Sequence, residues 1–376
     1  MGKTAVAAGH ICLDLTPILT DTKARVITDV LKPGSLTDAS GIDIHTGGSV
    51  ANTGLAMKML GADVRLIAKI GRDSLGCVLR GCMNEISRGS DRDLIVSEAC
   101  RTSYSVVVAI PGIDRLFIHD SAANDDFGFD DIDFEKLRGT SLFHFGYPSH
   151  MSKMFADGGN ELVRIFRKAK EEGMATSLDF AAISRNSRAG SADWRKILER
   201  TVPCVDFMVP SVGELGYMLS PELYDSWVRR ADGRDVTEIL DPERDIRPLA
   251  DELLSMGAKA ILIKCGKPGI YFRSAGKDIL DGVGANLSLD AESWADREFF
   301  EKSFRPDRVL SGTGAGDTAI AAFLTSVLNG KGPEESVRIA AAAGAASVTE
   351  YDALSGLLPI EELEEKIRNG WEKAGG

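Results

Sequence analysis

From residue 140 to 264 strand-like and helix-like stretches alternate at short, regular spacing, and few folds accommodate that pattern. Strand-like residues 141–145 precede helical 160–172, and strand-like 175–179 precede helical 192–199. Strand-like 207–209 lead to helical 214–219, and helical 248–256 precede 260–264, which read as a hairpin with 270–273. Parallel strands need a long crossover, usually a helix, so the rhythm predicts a doubly wound, mostly parallel α/β sheet with helices on both faces. Upstream, residues 4–8, 11–15 and 63–70 read as strands and 75–87 as a helix, while helices close the chain at 315–328, 334–349 and 360–369. A chain of 376 residues holds one large α/β domain or two ordinary ones. The continuous rhythm favours a single domain over 1–376.

Two regions break that rhythm. Alternation at 25–30 and 42–44, and at 102–110 and 116–119 around a Pro111-Gly112 turn, predicts a small separate sheet. A lid built from segments about 16–46 and 102–125 is expected to fold over the site. The charged stretches 220–248 and 285–308 read as solvated surface insertions.

The most chemically loaded stretch is Thr313-Gly-Ala-Gly-Asp317, followed at once by apolar helix material from Ala319 to Leu324. A glycine-rich turn entering a helix leaves backbone N–H groups unpaired and aimed one way, and the helix dipole makes that spot an anion site. A carboxylate at its mouth repels a bound phosphate unless it is there to take a proton from an attacking hydroxyl. Asp317 is therefore a candidate general base, with Gly314, Ala315 and Gly316 as the anion hole of a phosphoryl transfer. The bland alternative is an aspartate N-cap on a tight turn.

Composition narrows the partners. A net charge of −12 argues against nucleic acid or an anionic membrane. The six cysteines form no Cys-x-x-Cys pair and the five histidines are scattered, so no zinc module is legible and reduced thiols in a cytoplasmic protein are expected. No apolar run is long enough to cross a bilayer.

Four motifs in order now stand out: Gly9-His-Ile-Cys-Leu-Asp14; Gly47-Gly48 with Asn52; Lys264-Cys-Gly-Lys-Pro-Gly269; and Thr313-Gly-Ala-Gly-Asp317. Together they resemble the ribokinase-like (PfkB) carbohydrate kinase family over nearly the whole chain. The resemblance implies an ATP- and Mg2+-dependent kinase acting on a sugar or polyol hydroxyl. It implies substrate contacts from Asp14, Gly47, Gly48 and Asn52, and nucleotide contacts from Lys264, Gly266, Gly269, Thr313, Gly314 and Gly316. Glu214, retained from the family's Asn-x-x-Glu motif within Ser211-Val-Gly-Glu214, is the candidate metal residue. Ser311 stands where the family often has an aspartate of a monovalent-cation site, so K+ dependence is left open. Asp179-Phe-Ala-Ala-Ile183 lacks the arginine of many sugar kinases, which weakens transfer of any one substrate. A nucleoside kinase, a catalytically silent sugar- or nucleotide-binding protein, and a homodimer formed through free lid edges are the further expectations.

Overall fold

The computed structural model describes residues 2–19, 24, 26–110 and 116–374. Its strands, in chain order, are β1 (Thr4–Gly9), β2 (Cys12–Leu19), β3 (Ala39–Gly47), β4 (Asp63–Ile67), β5 (Lys69–Gly71), β6 (Ile95–Ser97) and β7 (Tyr104–Val108). Then come β8 (Leu116–Asp120), β9 (Leu142–Gly146), β10 (Ala175–Asp179), β11 (Phe207–Met208), β12 (Ala260–Lys264), β13 (Gly269–Ser274) and β14 (Glu298–Lys302). Eight of them make the main sheet, in the order β14-β13-β12-β11-β10-β9-β1-β4. From β12 to β4 every pairing is parallel, while β13 and β14 run antiparallel at one edge.

The inner strands β1 and β9 to β13 are almost wholly buried because helices cover both faces, whereas the edge strand β14 is only partly covered. On one face lie the helices Ala315–Leu328 and Pro333–Ser347, packed with Ala5, Ala7, Leu142, Phe207 and Phe272 in one apolar cluster. On the other, Phe143, Phe145, Leu178 and Met208 pack with Phe166 of the helix Asn160–Glu171 and with the helix Trp194–Thr201. The helix Ala315–Leu328 is buried from Asp317 to its end, in keeping with a sequence that is apolar on all sides apart from Asp317, Thr318, Thr325 and Ser326.

A separate four-stranded sheet, ordered β3-β2-β7-β8, carries the period-two segments. It differs from expectation in detail. β2 begins at Cys12, so Asp14 belongs to this sheet. Residues 27–30 form one helical turn rather than a strand, with Asp29 accepting from the Val26 amide. The expected Pro111-Gly112 turn and Arg25 lie outside the described residues. The single strand expected over 63–70 is two: β4 completes the main sheet, whereas β5 pairs with β6.

Both presumed insertions are structured. In the first, the helix Pro221–Ala231 buries Trp227 against Gly216. In the second, β14 extends the main sheet, and Trp294 and Phe299 pack on Phe272. Their charged residues face solvent while a few aromatic anchors bury more apolar area than the charge count suggests. No helix among the described residues is long and apolar enough to cross a membrane.

Candidate active site

Neighbouring parallel strands end side by side, and their carboxyl ends gather the polar residues, as open α/β sheets do. Along that edge lie Lys264 at the end of β12, Asp179 at the end of β10, Tyr147 just beyond β9 and His10 just beyond β1. The helix Ala315–Leu328 arrives over the same edge.

Asp317 is 4% exposed and lies in the first turn of that helix. It is not the cap: that position is Gly314, whose φ of 74° and contact with Ala353 exclude a side chain. The capping alternative therefore fails. Instead the Asp317 carboxylate accepts from Asn52 Nδ2 and Thr53 Oγ1, each at 3.1 Å, and from the Tyr147 hydroxyl at 2.8 Å to both oxygens. Asn52 and Thr53 are adjacent, yet both reach it, because Val50–Leu55 is wound as a π-helix before continuing as α-helix over Ala56–Met59. The wider turn makes neighbouring side chains diverge less, and such turns are frequent at functional sites.

Burial raises the Asp317 pKa, opposed by the Lys264 ammonium and by the hydrogen bonds from Tyr147, Asn52 and Thr53. Burial and the neighbouring Asp317 push the Tyr147 phenol well above its ordinary value, so it remains a donor. Tyr147 is held at φ 62°, ψ 43°, a left-handed conformation uncommon for a bulky residue.

Lys264 Nζ contacts Asp179 Oδ1 at 2.7 Å with both side chains nearly covered, at 12% and 1% exposure. Its chain also crosses Gly316: a Cβ there would lie 3.5 Å from Nζ. A fixed ammonium thus stands beside the helix amides, adding positive charge to the anion site. Burial would lower the Lys264 pKa, but Asp179, Glu214 and Asp317 together raise it. Asp179 is raised by burial, with Lys264 pulling it back. Its Oδ2 is buried without a hydrogen-bond partner, an acceptor that suits a hydrated cation.

The other expected residues fall into three groups. Asp14, Gly47 and Gly48 form one corner. A Cβ on Gly47 would lie 2.5 Å from Asp14 Oδ2, and one on Gly48, at φ 85°, 2.6 Å from His10 Nδ1. Asn52 N–H bonds the Gly48 carbonyl at 2.8 Å, tying that corner to the Asp317 network. Glu214 caps its own helix: its carboxylate accepts from the Ser211 amide at 2.7 Å, and Ser211 Oγ accepts in return. The Ser-x-x-Glu spacing is that of a capping box, a signal the motif comparison passed over. Gly266 and Gly269 build the β12–β13 hairpin turn, where the Gly269 amide bonds the Gly266 carbonyl at 3.1 Å. Thr313 accepts from Ser311 Oγ at 3.0 Å, so Ser311 steadies the glycine turn.

Tyr147, Thr53 and the histidines carried no sequence signal strong enough to find them. Tyr147 sits just past a strand end, and Thr53 beside Asn52, but nothing in either residue's neighbourhood predicts contact with position 317. The histidines, scattered in sequence, converge: His10, His119 and His150 lie with ring centroids 5.2–5.7 Å apart.

Comparison with known proteins agrees with this architecture. Residues 9–360 match the profile described as pfkB family carbohydrate kinase. An uncharacterized sugar kinase of Archaeoglobus fulgidus is 23% identical over 303 residues, spanning 81% of this chain and 98% of that protein. Arabidopsis thaliana ribokinase, solved with ribose and ATP, superimposes with a TM-score of 0.69 at 17% identity, covering 97% of this chain and 98% of the other. A Methanocaldococcus jannaschii nucleoside kinase superimposes at 0.66 with 15% identity, covering 98% and 99%.

Proposed function

Since the chain belongs to the pfkB family of carbohydrate kinases, we propose that it transfers the γ-phosphoryl group of ATP to a hydroxyl of a small sugar or polyol. The observation that carries this reading is Asp317: a buried carboxylate held by three side chains at the first turn of a glycine-led helix, with Lys264 beside the same turn. The acceptor hydroxyl gives its proton to Asp317 as its oxygen bonds to the γ-phosphorus, and the bridging P–O bond breaks to release ADP. Amides of Gly314, Ala315 and Gly316 with Lys264 stabilise the charge that builds on the phosphoryl oxygens. Because the Tyr147 hydroxyl bridges both Asp317 oxygens, it must yield one of them when the acceptor arrives. Magnesium supplies charge neutralisation on the triphosphate, and the residues that would hold it, through water, are Asp179 and Glu214.

Asp14, Gly47, Gly48 and Asn52 are proposed as the acceptor side of the site, since carboxylate and amide groups pair with vicinal hydroxyls. The four-stranded sheet is proposed as the lid of a single catalytic domain. Its exposed Ile18, Ile42, Ile44, Leu116, Phe117 and Ile118 would suit a second copy of the chain.

The test is ADP release, coupled to an optical readout, across sugars, inositols and nucleosides. Acceptor-dependent ADP release that disappears in Asp317→Asn is expected. Binding of an acceptor without any turnover would overturn the kinase reading in favour of a silent binding protein.

A further inference from the structure

We infer that His10, Cys12 and His119 form a binding site for a zinc-class divalent transition metal, placed where the four-stranded sheet meets the carboxyl edge of the main sheet. One ligand atom from each residue lies within 4.8 Å of the other two. No sequence spacing announces the site, because His119 is brought in by β8, more than a hundred residues away from His10 and Cys12.

Geometry is the first support. Two imidazole nitrogens bound tetrahedrally at about 2.0–2.1 Å stand roughly 3.3 Å apart. His10 Nε2 and His119 Nε2 stand 3.3 Å apart. The second support is orientation. A ligating histidine normally has its other ring nitrogen held by a hydrogen bond, which fixes tautomer and ring angle. His119 Nδ1 meets Ser105 Oγ at 3.1 Å, leaving Nε2 to face His10. His10 is 2% exposed, and its remaining nitrogen, Nδ1, is buried with no hydrogen-bond partner, so packing and the Nε2 contact with His119 hold the ring.

The donor set is the third. Two imidazoles and a thiolate suit zinc or cobalt and are poor ligands for magnesium, which prefers oxygen. Both imidazoles bind a metal as the neutral ring. Metal binding displaces the Cys12 thiol proton to solvent as the metal–sulfur bond forms. The exposed edge of His119 gives the ion a way in, and the fourth position is left to solvent.

Such an ion would join β2 and β8 to the loop after β1, and so pin the small sheet over Tyr147, whose ring centroid lies 6.1 Å from that of His10. Inhibition of turnover by stoichiometric zinc is the consequence; that part rests on the proposed kinase function, whereas metal binding does not.

The experiment is a cobalt titration of chelator-treated full-length protein in excess magnesium, read by visible absorption, with zinc stoichiometry measured by equilibrium dialysis. One equivalent with a thiolate-to-cobalt band is expected. Cys12→Ser should abolish the band, and His119→Gln, at an exposed position, should weaken cobalt binding about 10-fold or more. Near-ultraviolet circular dichroism checks that both variants are folded. No stoichiometric binding, a band that survives Cys12→Ser, or unchanged affinity in His119→Gln would each overturn the site. These readouts need no turnover, so their failure is separable from failure of the kinase reading.

Discussion

Replacing Asp317 with asparagine separates catalysis from structure unusually well at this position. The carboxylate accepts from Asn52 Nδ2, Thr53 Oγ1 and the Tyr147 hydroxyl. An amide at 317 brings two N–H donors into a site now built only of donors. Hydroxyls can swivel to accept, and the Asn52 amide can turn over. Asn52 Oδ1 is buried with no partner, so turning it towards the new N–H groups restores a hydrogen bond. The variant also removes a charge whose burial raises its pKa. Net stability should therefore change by no more than about 1 kcal/mol. Turnover should fall about 10²–10⁴-fold, which corresponds to about 2.7–5.5 kcal/mol of barrier, because an amide cannot take the acceptor proton. ATP affinity should hold or improve as a negative charge beside the phosphates is lost. The assay is coupled ADP release with any accepted acceptor, alongside urea denaturation. A loss under tenfold in a stably folded variant would refute the base assignment.

Three further outcomes are expected. Lys264→Met leaves Asp179 buried without its cation, at a cost of about 3–5 kcal/mol in urea denaturation, and weakens ATP binding. Adding Asp179→Asn should recover much of the stability, and no recovery would argue against the pair. Glu214→Gln keeps a capping-box residue, so the melting temperature should hold while the magnesium needed for half-maximal turnover rises; an unmoved magnesium curve counts against the metal role. Burial and Lys264 hold His144 down to about 3, against an ordinary 6.5. Its contribution to stability is thus present above pH 6.5 and lost as pH falls towards 3, at about 1.4 kcal/mol per pH unit. His144→Gln should flatten the acid side of the stability curve relative to the parent, and parallel curves would refute this.

Much of the architecture was legible because it depends on local pattern. Alternation of apolar strands with helical stretches implied the parallel sheet, since each strand buried on both faces must be continuously apolar. The motif at Thr313–Asp317 implied a helix N-terminus with a carboxylate in its first turn, because glycine content and the following apolar run are local properties. Period-two segments implied a second sheet, though not that β2 would start early enough to carry Asp14. The charged stretches misled: Trp227 anchors the first and Trp294 with Phe299 the second, and composition averages such anchors away.

What tertiary structure alone decided is which side chains meet. Tyr147 reaches Asp317 only because β9 ends beside the incoming helix, and a strained left-handed backbone turns its ring there. Asn52 and Thr53 share one carboxylate because the helix is wound wide where they sit. Glu214 is drawn to its own helix end, where it accepts from the Ser211 amide. His10, Cys12 and His119 meet through a sheet pairing, β2 with β7 and β7 with β8, that spans about a hundred residues. Periodicity reports which face of an element is buried; it carries no information on which distant element covers that face, and the chemistry of this site lives in those encounters.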